Sequence, residues 1–213
     1  MVGCADLSGL PETATLGFPR AVSIVVAYEA HLVPVAEGTP TPDHASEEDR
    51  VRALRGELAT ECFELLAERG WRVARAPAKV TDKENYTAPL SHKMVATKAG
   101  LGWVGKNDLL TTRDFGPAVK LASILTDAPL PVAVPVIESS CGDCRQCVTH
   151  CPGQAMTGEN WRAGSPRENV LSVQACVRAR RKRSEEAGLS GRVACDVCVA
   201  VCPRTISYSR RSH

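Results

Sequence analysis

The residues of this sequence that are best suited to chemistry are cysteines, and most of them lie near its carboxyl end. Ten cysteines occur among 213 residues. Cys4 and Cys62 stand alone in the first part of the chain. The other eight are Cys141, Cys144, Cys147, Cys151, Cys176, Cys195, Cys198 and Cys202. Disulfides, zinc sites and iron–sulfur clusters are the three uses that could account for so many thiols.

The spacing of these eight cysteines favours iron–sulfur clusters. Disulfides do not need two-residue intervals, and zinc sites typically use separated C-x-x-C pairs. Here a C-x-x-C-x-x-C-x-x-x-C-P run begins at Cys141, and bacterial two-cluster ferredoxins have this spacing. A second run, C-x-x-C-x-x-x-C-P, begins at Cys195, and Cys176 precedes it. In such ferredoxins the fourth cysteine of a run ligates the other cluster.

We therefore predict two [4Fe–4S] clusters that exchange their fourth ligands. The first cluster is assigned to Cys141, Cys144, Cys147 and Cys202. The second cluster is assigned to Cys151, Cys176, Cys195 and Cys198. Cys62 is left out because it lies on the apolar face of a predicted helix, and Cys4 because it stands alone.

Composition indicates a globular chain with two parts of different character. Apolar residues make up 44% and charged residues 23%, which excludes a disordered or fibrous chain. No apolar run approaches the roughly 20 residues of a membrane-spanning helix, and the N-terminus lacks a secretory signal pattern, so a cytoplasmic protein without membrane contact is expected. Residues 1–130 carry 14 basic and 17 acidic side chains, and residues 131–213 carry 12 and 7. We place a domain boundary between residues 137 and 138.

The pattern of apolar residues predicts alternating strands and helices in the first part. Residues 1–19 are expected to be a loose arm, and the unbroken apolar run 21–28 a buried strand. A long helix is expected to begin at Ser46 as its N-cap, followed by a helix over 91–99 and a strand over 118–125. Residues 1–137 are thus predicted to form an α/β domain.

Four segments resemble one known family, the epoxyqueuosine reductases. They are residues 86–107 (YTAPLSHKMVATKAGLGWVGKN), 113–116 (RDFG), 124–131 (ILTDAPLP) and the cysteine runs that follow. The order of these motifs is more specific than a two-cluster module alone. The resemblance is clear over about residues 80–205 and weak over 19–76. The family is related to the reductive dehalogenases.

The resemblance implies a fold and a class of reaction. It implies an α/β (α+β) N-terminal domain, 1–137, of the reductive dehalogenase/nitroreductase-like type, with a C-terminal ferredoxin-like double [4Fe–4S] domain, 138–213. It implies an oxidoreductase in which two clusters pass electrons to a base-off cobalamin. In the family, that reaction removes the epoxide oxygen of epoxyqueuosine in tRNA. The residues that match the family's glycine-rich turn, expected to contact the corrin, are Gly102, Trp103, Gly105, Lys106 and Asn107.

The sequence departs from the family pattern in length and at one chemical position. The chain is considerably shorter than the tRNA enzymes. The family carries an acidic residue, the expected proton donor, where this sequence has Tyr86. Reductive dehalogenases use a tyrosine as the acid, so Tyr86 is the candidate catalytic residue here. A packed loop tyrosine is the alternative.

Two further interpretations of the function stay open at this point. One is an electron-transfer protein with two clusters and no corrin, and the other is a reductase of a small organic substrate in place of tRNA. The run Arg178–Arg183 holds five basic residues in six. It could bind tRNA phosphates or an acidic, low-potential electron donor of the ferredoxin or flavodoxin type.

Overall fold

The computed structural model describes residues 1–32, 41–82, 84–189 and 195–211, which fold into two compact units built from interleaved segments. The first unit comprises Met1–Val26, Val51–Gly102 and Lys120–Ile137. The second comprises Ala27–Arg50, Trp103–Val119 and Glu138–His213. Two segments upstream of residue 137 thus pack within the second unit, and the division of the chain into domains 1–137 and 138–213 stays a prediction.

The regular elements are short apart from two strands and two helices. The strands are β1 (Val2–Asp6), β2 (Arg20–Ala27), β3 (Val73–Arg75), β4 (Trp103–Val104), β5 (Leu110–Thr111) and β6 (Val119–Thr126). The helices are α1 (Glu12–Thr15), α2 (Pro42–Glu68), α3 (His92–Lys98), α4 (Gln146–Thr149), α5 (Val173–Glu186), α6 (Val197–Ala200) and α7 (Pro203–Arg210). Single 3₁₀ turns occur at Ala30–Leu32 and Arg167–Asn169.

The first unit is organised around a four-stranded sheet in the order β1-β2-β6-β3. Strand β1 runs antiparallel to β2 with Val2 opposite Ile24, and β3 runs antiparallel to β6 with Val73 opposite Thr126. The predicted strands over 21–28 and 118–125 are confirmed as β2 and β6. Burial of Ala21 to Val26 on both faces explains why the sequence of β2 is continuously apolar.

Small and aliphatic side chains fill the core of the first unit. Leu7, Leu90, Val95 and Leu125 are at most 1% exposed, and alanines pack between them. The predicted helix over 91–99 is confirmed as α3, which begins after Ser91. The Ser91 hydroxyl accepts a hydrogen bond from the Lys93 N–H at 3.3 Å, as an N-cap does.

Two expectations for local structure are wrong. Residues 1–19 are not a loose arm, because they form β1 on the sheet edge and the single turn α1. Helix α2 begins at Pro42, one turn before the predicted N-cap Ser46. The Thr41 hydroxyl accepts the His44 N–H at 3.2 Å, and a proline suits a first helical position because its missing N–H would have no helical partner.

The second unit has little regular structure and a core that contains cysteine. Beyond the small β4–β5 pair, its described residues form the first part of α2, the two 3₁₀ turns, the helices α4 to α7 and irregular segments. Ala155, Met156 and Leu171 pack against Cys147, Cys151, Cys176 and Cys198. Within the described ranges, no helix has the length and apolar character that crossing a membrane requires.

Candidate metal centre

The first cysteine run folds as a tight turn followed by one helical turn. The Cys144 N–H donates to the carbonyl of Cys141 at 3.1 Å. Gly142 lies between them with φ of +53°, a left-handed conformation that glycine adopts without a Cβ clash. Helix α4 follows and carries Cys147.

The second cysteine run uses two helix starts. Asp196, with φ of +52°, is the N-cap residue of α6, which carries Cys198. Cys202 is the N-cap residue of α7, and Pro203 occupies its first helical position. Cys176, which belongs to neither run, lies in the first turn of α5.

Electrostatic contacts among the thiols define a first group of four. Burial, together with repulsion from Cys141, Cys202 and Cys144, raises the pKa of Cys147 to about 12. Burial also raises the pKa of Cys202, with added repulsion from Cys141 and Cys144. Cys202 therefore lies with the three thiols of the first run, although it is distant in sequence.

The remaining four thiols form a second group. Burial raises the pKa of Cys176, and Cys151 and Cys195 add repulsion. Burial raises the pKa of Cys198 well above its ordinary value, with added repulsion from Asp196, Cys176 and Cys195. The last cysteine of each run thus lies among the thiols of the other run.

The two groups are neighbours within the second unit. Cys147 of the first group interacts electrostatically with Cys198 of the second and packs against the small cluster that contains Cys195. Electron transfer between two redox centres needs such proximity. The other two cysteines, Cys4 on β1 and Cys62 on α2, belong to the first unit.

The donor set fits two iron–sulfur clusters. A thiol whose pKa is raised by burial keeps its proton at neutral pH, so a thiolate at Cys147, Cys198 or Cys202 needs nearby positive charge. Iron supplies that charge, and four thiolates are the usual ligands of a [4Fe–4S] cluster. Among the described residues, no three His, Cys, Asp or Glu side chains are arranged to hold a single metal ion.

Trp103 lies against the first cysteine group. It is 3% exposed and is held in the β4–β5 pair opposite Thr111. Its indole N–H donates to Sγ of Cys141 at 3.4 Å. The guanidinium of Arg204, two residues after Cys202, lies over the ring at 6.0 Å from its centroid. Trp103 therefore contacts both chain segments that supply the first group.

The rest of the glycine-rich turn is bonded to the cysteine segments in the same way. Lys106 is 4% exposed, and its Nζ donates to the carbonyl of Gly142 at 2.7 Å. Asn107 donates from Nδ2 to the carbonyl of Cys198 at 3.5 Å. A Cβ on Gly105 would lie 2.7 Å from Oδ1 of Asn107, so this turn requires glycine.

Three of the five turn residues predicted to contact a corrin thus bond to the cysteine segments, and the corrin contact itself stays a prediction. Gly102 is the last residue of its segment of the first unit, and Trp103, Lys106 and Asn107 use their polar groups on the cysteine segments. Sequence reasoning missed these contacts because nothing in the spacing links the turn to cysteines tens of residues away. It also missed Asn160, whose Nδ2 donates to the Gly142 carbonyl at 3.2 Å.

Tyr86, the predicted proton donor, occupies a strained position in a tight loop of the first unit. Its φ is +52°, which is unfavourable for a residue with a bulky side chain. The loop is closed by reciprocal backbone hydrogen bonds between Asp82 and Thr87 at 3.2–3.3 Å. The Asp82 carboxylate accepts the N–H groups of Glu84 and Asn85. The Tyr86 side chain is half-buried, and backbone strain of this kind is common at functional sites.

Comparison with known proteins gives this arrangement a family context. Residues 140–205 match the family described as "4Fe-4S double cluster binding domain". The epoxyqueuosine reductase of Cyclobacterium marinum is 35% identical over 119 residues, which is 55% of this chain and 37% of that protein. Over these 119 residues the chain is similar to an epoxyqueuosine reductase. Curated proteins of that name are 31–46% identical over the aligned segments.

Solved structures extend the likeness to the fold of nearly the whole chain. An epoxyqueuosine reductase crystallised with an epoxyqueuosine-modified tRNA-Tyr stem loop has a TM-score of 0.62 at 22% identity, covering 98% of this chain and 62% of that one. A reductive dehalogenase, described in terms of B12-dependent dehalogenation, has a TM-score of 0.68 at 19% identity, covering 100% and 31%. The predicted fold class, an α/β domain of this type with a double-cluster domain, is confirmed.

The chain spans less than half the length of the curated relatives that it matches. The alignments cover between 17% and 46% of those proteins.

Proposed function

We propose that this chain is an iron–sulfur oxidoreductase, similar to epoxyqueuosine reductase, that delivers electrons through two [4Fe–4S] clusters for the reductive cleavage of a carbon–oxygen or carbon–halogen bond. The observation that carries the proposal is the division of eight cysteines into two neighbouring groups of four. The match of residues 140–205 to a double-cluster domain supports the same ligand set.

The first cluster is proposed to bind Cys141, Cys144, Cys147 and Cys202. The second is proposed to bind Cys151, Cys176, Cys195 and Cys198. Clusters ligated by four thiolates can reach low potentials and pass one electron at a time. The protein's part is to hold the eight thiolates, to bury them and to keep the two groups adjacent.

Reductive cleavage also consumes a proton, and Tyr86 is the proposed donor. Its fixed loop would present the phenolic O–H from one position rather than from many, which is what general acid catalysis requires. The sequence supports this role through register, since Tyr86 precedes the Thr87-Ala88-Pro89 step where the family carries its acidic residue. The alternative, a tyrosine that only packs its loop, predicts no effect of removing the hydroxyl.

Cobalamin is proposed as the reactive centre from the family likeness and from the B12-dependent dehalogenase of the same fold. If bound, a cobalamin would supply cobalt that can be reduced to a low-valent state. The predicted corrin contacts do not fit that role well, because Trp103, Lys106 and Asn107 are at most 6% exposed and bond to the cysteine segments. We therefore assign no step of the reaction to these side chains.

Two partners are proposed for the surface of the second unit. The α5 side chains Arg178, Arg181 and Lys182 are exposed on the helix that carries Cys176. An acidic, low-potential donor of the ferredoxin or flavodoxin type would be attracted to this basic face beside a cluster. A tRNA substrate, proposed from the tRNA-bound relative, would use the same kind of phosphate-binding charge.

The test begins with protein purified without oxygen. About eight iron and eight labile sulfide per chain are expected, and zinc in their place would refute the cluster proposal.

Incubation with cobalamin and absorbance spectroscopy then separates the enzyme from the electron-transfer alternative, since a base-off cobalt band is expected only if a corrin binds. The rate of reduction of epoxyqueuosine-containing tRNA is then compared with the rates for small organohalides and epoxides, which distinguishes the two substrate classes. A chain that holds both clusters, yet binds no corrin and reduces neither substrate, is an electron carrier.

A further inference from the structure

The glycine-rich turn, residues 102–107, contains a buried hydrogen-bond donor, the indole of Trp103, that points at a cysteine sulfur. The Trp103 indole N–H reaches Sγ of Cys141 at 3.4 Å, within the range of a hydrogen bond to sulfur. The side chain is 3% exposed, so water does not compete for this N–H. A buried indole N–H normally has a partner, and here that partner is a thiol of the first cysteine group.

The ring is held in place from two sides. Pairing of β4 with β5 fixes its backbone opposite Thr111. The Arg204 guanidinium lies over the ring face at 6.0 Å from the centroid. Because Arg204 follows Cys202 closely, both ligand segments of the first group constrain the orientation of the indole. The surrounding structure therefore constrains the direction of the indole N–H.

A second buried donor of the same turn points to the same loop. Lys106 Nζ donates to the carbonyl of Gly142, between Cys141 and Cys144, at 2.7 Å. Its partner among the described residues is an uncharged oxygen, although a buried cation is costly without negative charge nearby. An anionic cluster on the flanking thiolates would provide that charge.

We propose that Trp103 and Lys106 set the reduction potential of the cluster bound by Cys141, Cys144, Cys147 and Cys202, acting as positioning residues that stabilise its reduced form. The inference rests on the proposed function, since it requires clusters on these thiols. Reduction adds one electron from an external reductant and leaves the cluster more negative. Hydrogen bonds and positive charge at the sulfurs stabilise that added charge and so raise the potential.

The second cluster group serves as an internal comparison. There the sulfur of Cys151 accepts a backbone N–H, from Ala155 at 3.4 Å, which no side-chain substitution removes. Changes at Trp103 or Lys106 are therefore expected to alter one potential and leave the other unchanged.

The experiment is a redox titration of the full chain with dithionite, followed by electron paramagnetic resonance, for the wild type, Trp103→Phe and Lys106→Gln. Trp71→Phe is the matched control, because Trp71 is an exposed tryptophan of the first unit. The midpoint of one cluster is expected to become more negative in both test variants and to stay unchanged in the control, with the iron content unchanged in all. Equal midpoints in wild type, Trp103→Phe and Lys106→Gln would overturn the proposal.

A measurement on the wild type covers the case in which Trp103→Phe fails to assemble its cluster. Chain carrying ¹⁵N-labelled indole is reduced, and the coupling of the nitrogen to the electron spin is measured by pulsed resonance. We expect a labelled indole nitrogen to couple to one reduced cluster. We expect this coupling to persist in Lys106→Gln. Absence of coupling in the reduced wild type overturns the inference while leaving the two clusters intact. Absence of iron from the wild type is a different result, which refutes the proposed function itself.

Discussion

The two units of this chain are stabilised by different means. The first unit has a four-stranded sheet and a core of leucine, valine and alanine side chains. The second has short helices and a core in which cysteines take the place of larger aliphatic side chains. A unit of the first kind can fold by burying apolar surface alone. For a unit of the second kind we expect metal binding by the thiols to contribute to the free energy of folding.

Removal of iron should therefore produce the largest effect, and only in the second unit. Chelation of iron from reduced protein is expected to lower hydrogen-exchange protection by a factor of about 10² or more at amides such as those of Val199 and Val201. These amides donate within α6 and its C-terminal turn, next to the second cysteine run. Amides of β2 and β6 should keep their protection. Equal loss in both units would show that the first unit also depends on the clusters.

A cysteine substitution sharpens the comparison by separating ligands from packing thiols. Cys144→Ala removes a proposed ligand of the first cluster and should lower the iron content from about eight to about four atoms per chain. Cys62→Ala, on α2 of the first unit, should leave the iron content unchanged and cost only about 1 kcal/mol of stability, since Cys62 is half-buried. Iron and sulfide analysis of the two variants, purified side by side, gives the answer. Iron loss in Cys62→Ala would contradict the ligand assignment.

The comparison also predicts that proton supply and electron supply can be separated by mutation. Tyr86→Phe changes the first unit only, keeping the ring and removing the hydroxyl. It should lower reductive turnover by a factor of about 10² because general acid catalysis is lost. Both clusters should remain, by iron analysis and by their resonance signals. Unchanged turnover in Tyr86→Phe would leave this residue a packing role only.

In the second unit, the sequence predicts the cysteine ligands better than it predicts the helices and turns. In the first unit, it predicts the strands and helices better than it predicts the residues of a site. Cysteine spacing is short-range information, so it is enough to predict the two sets of cluster ligands. The β2 strand and α3 helix follow from apolar periodicity in the same local way. The predicted start of α2 is one turn late because Thr41 and Ser46 both have side-chain oxygens that suit an N-cap. The sequence alone does not show which of the two begins the helix.

Contacts distant in sequence could not be predicted, and they include the most informative ones. Trp103 meets Cys141 across 38 positions, and Asn107 meets Cys198 across 91. The edge strand β1 was also missed, because its Val-Gly-Cys-Ala-Asp sequence has weak alternation. Its pairing with β2 provides the stability that its own sequence does not indicate.

The smallest expected effect concerns pH, and it is confined to the first unit. His92 begins α3, and its Nδ1 lies 2.9 Å from the hydroxyl of Ser123 on β6. Burial, together with the positive charge of Arg55, lowers the pKa of His92 to about 4. The unfolded chain, in which this pKa is near its ordinary value of about 6.5, therefore binds more protons between pH 4 and 6.5.

Stability contributed by neutral His92 should thus be complete above pH 6.5 and fall as the pH is lowered towards 4. Between pH 6.5 and 5 the loss should be about 2 kcal/mol in the free energy of unfolding. His92→Asn keeps an acceptor near Ser123 and cannot take up a proton, so it should be less stable than wild type at pH 7 but lose less on acidification. Urea unfolding at both pH values, followed through β2 and β6 amide protection, measures the difference between the two proteins. The same pH slope in both would show that His92 is not the group responsible, and that the acid sensitivity of the first unit arises elsewhere.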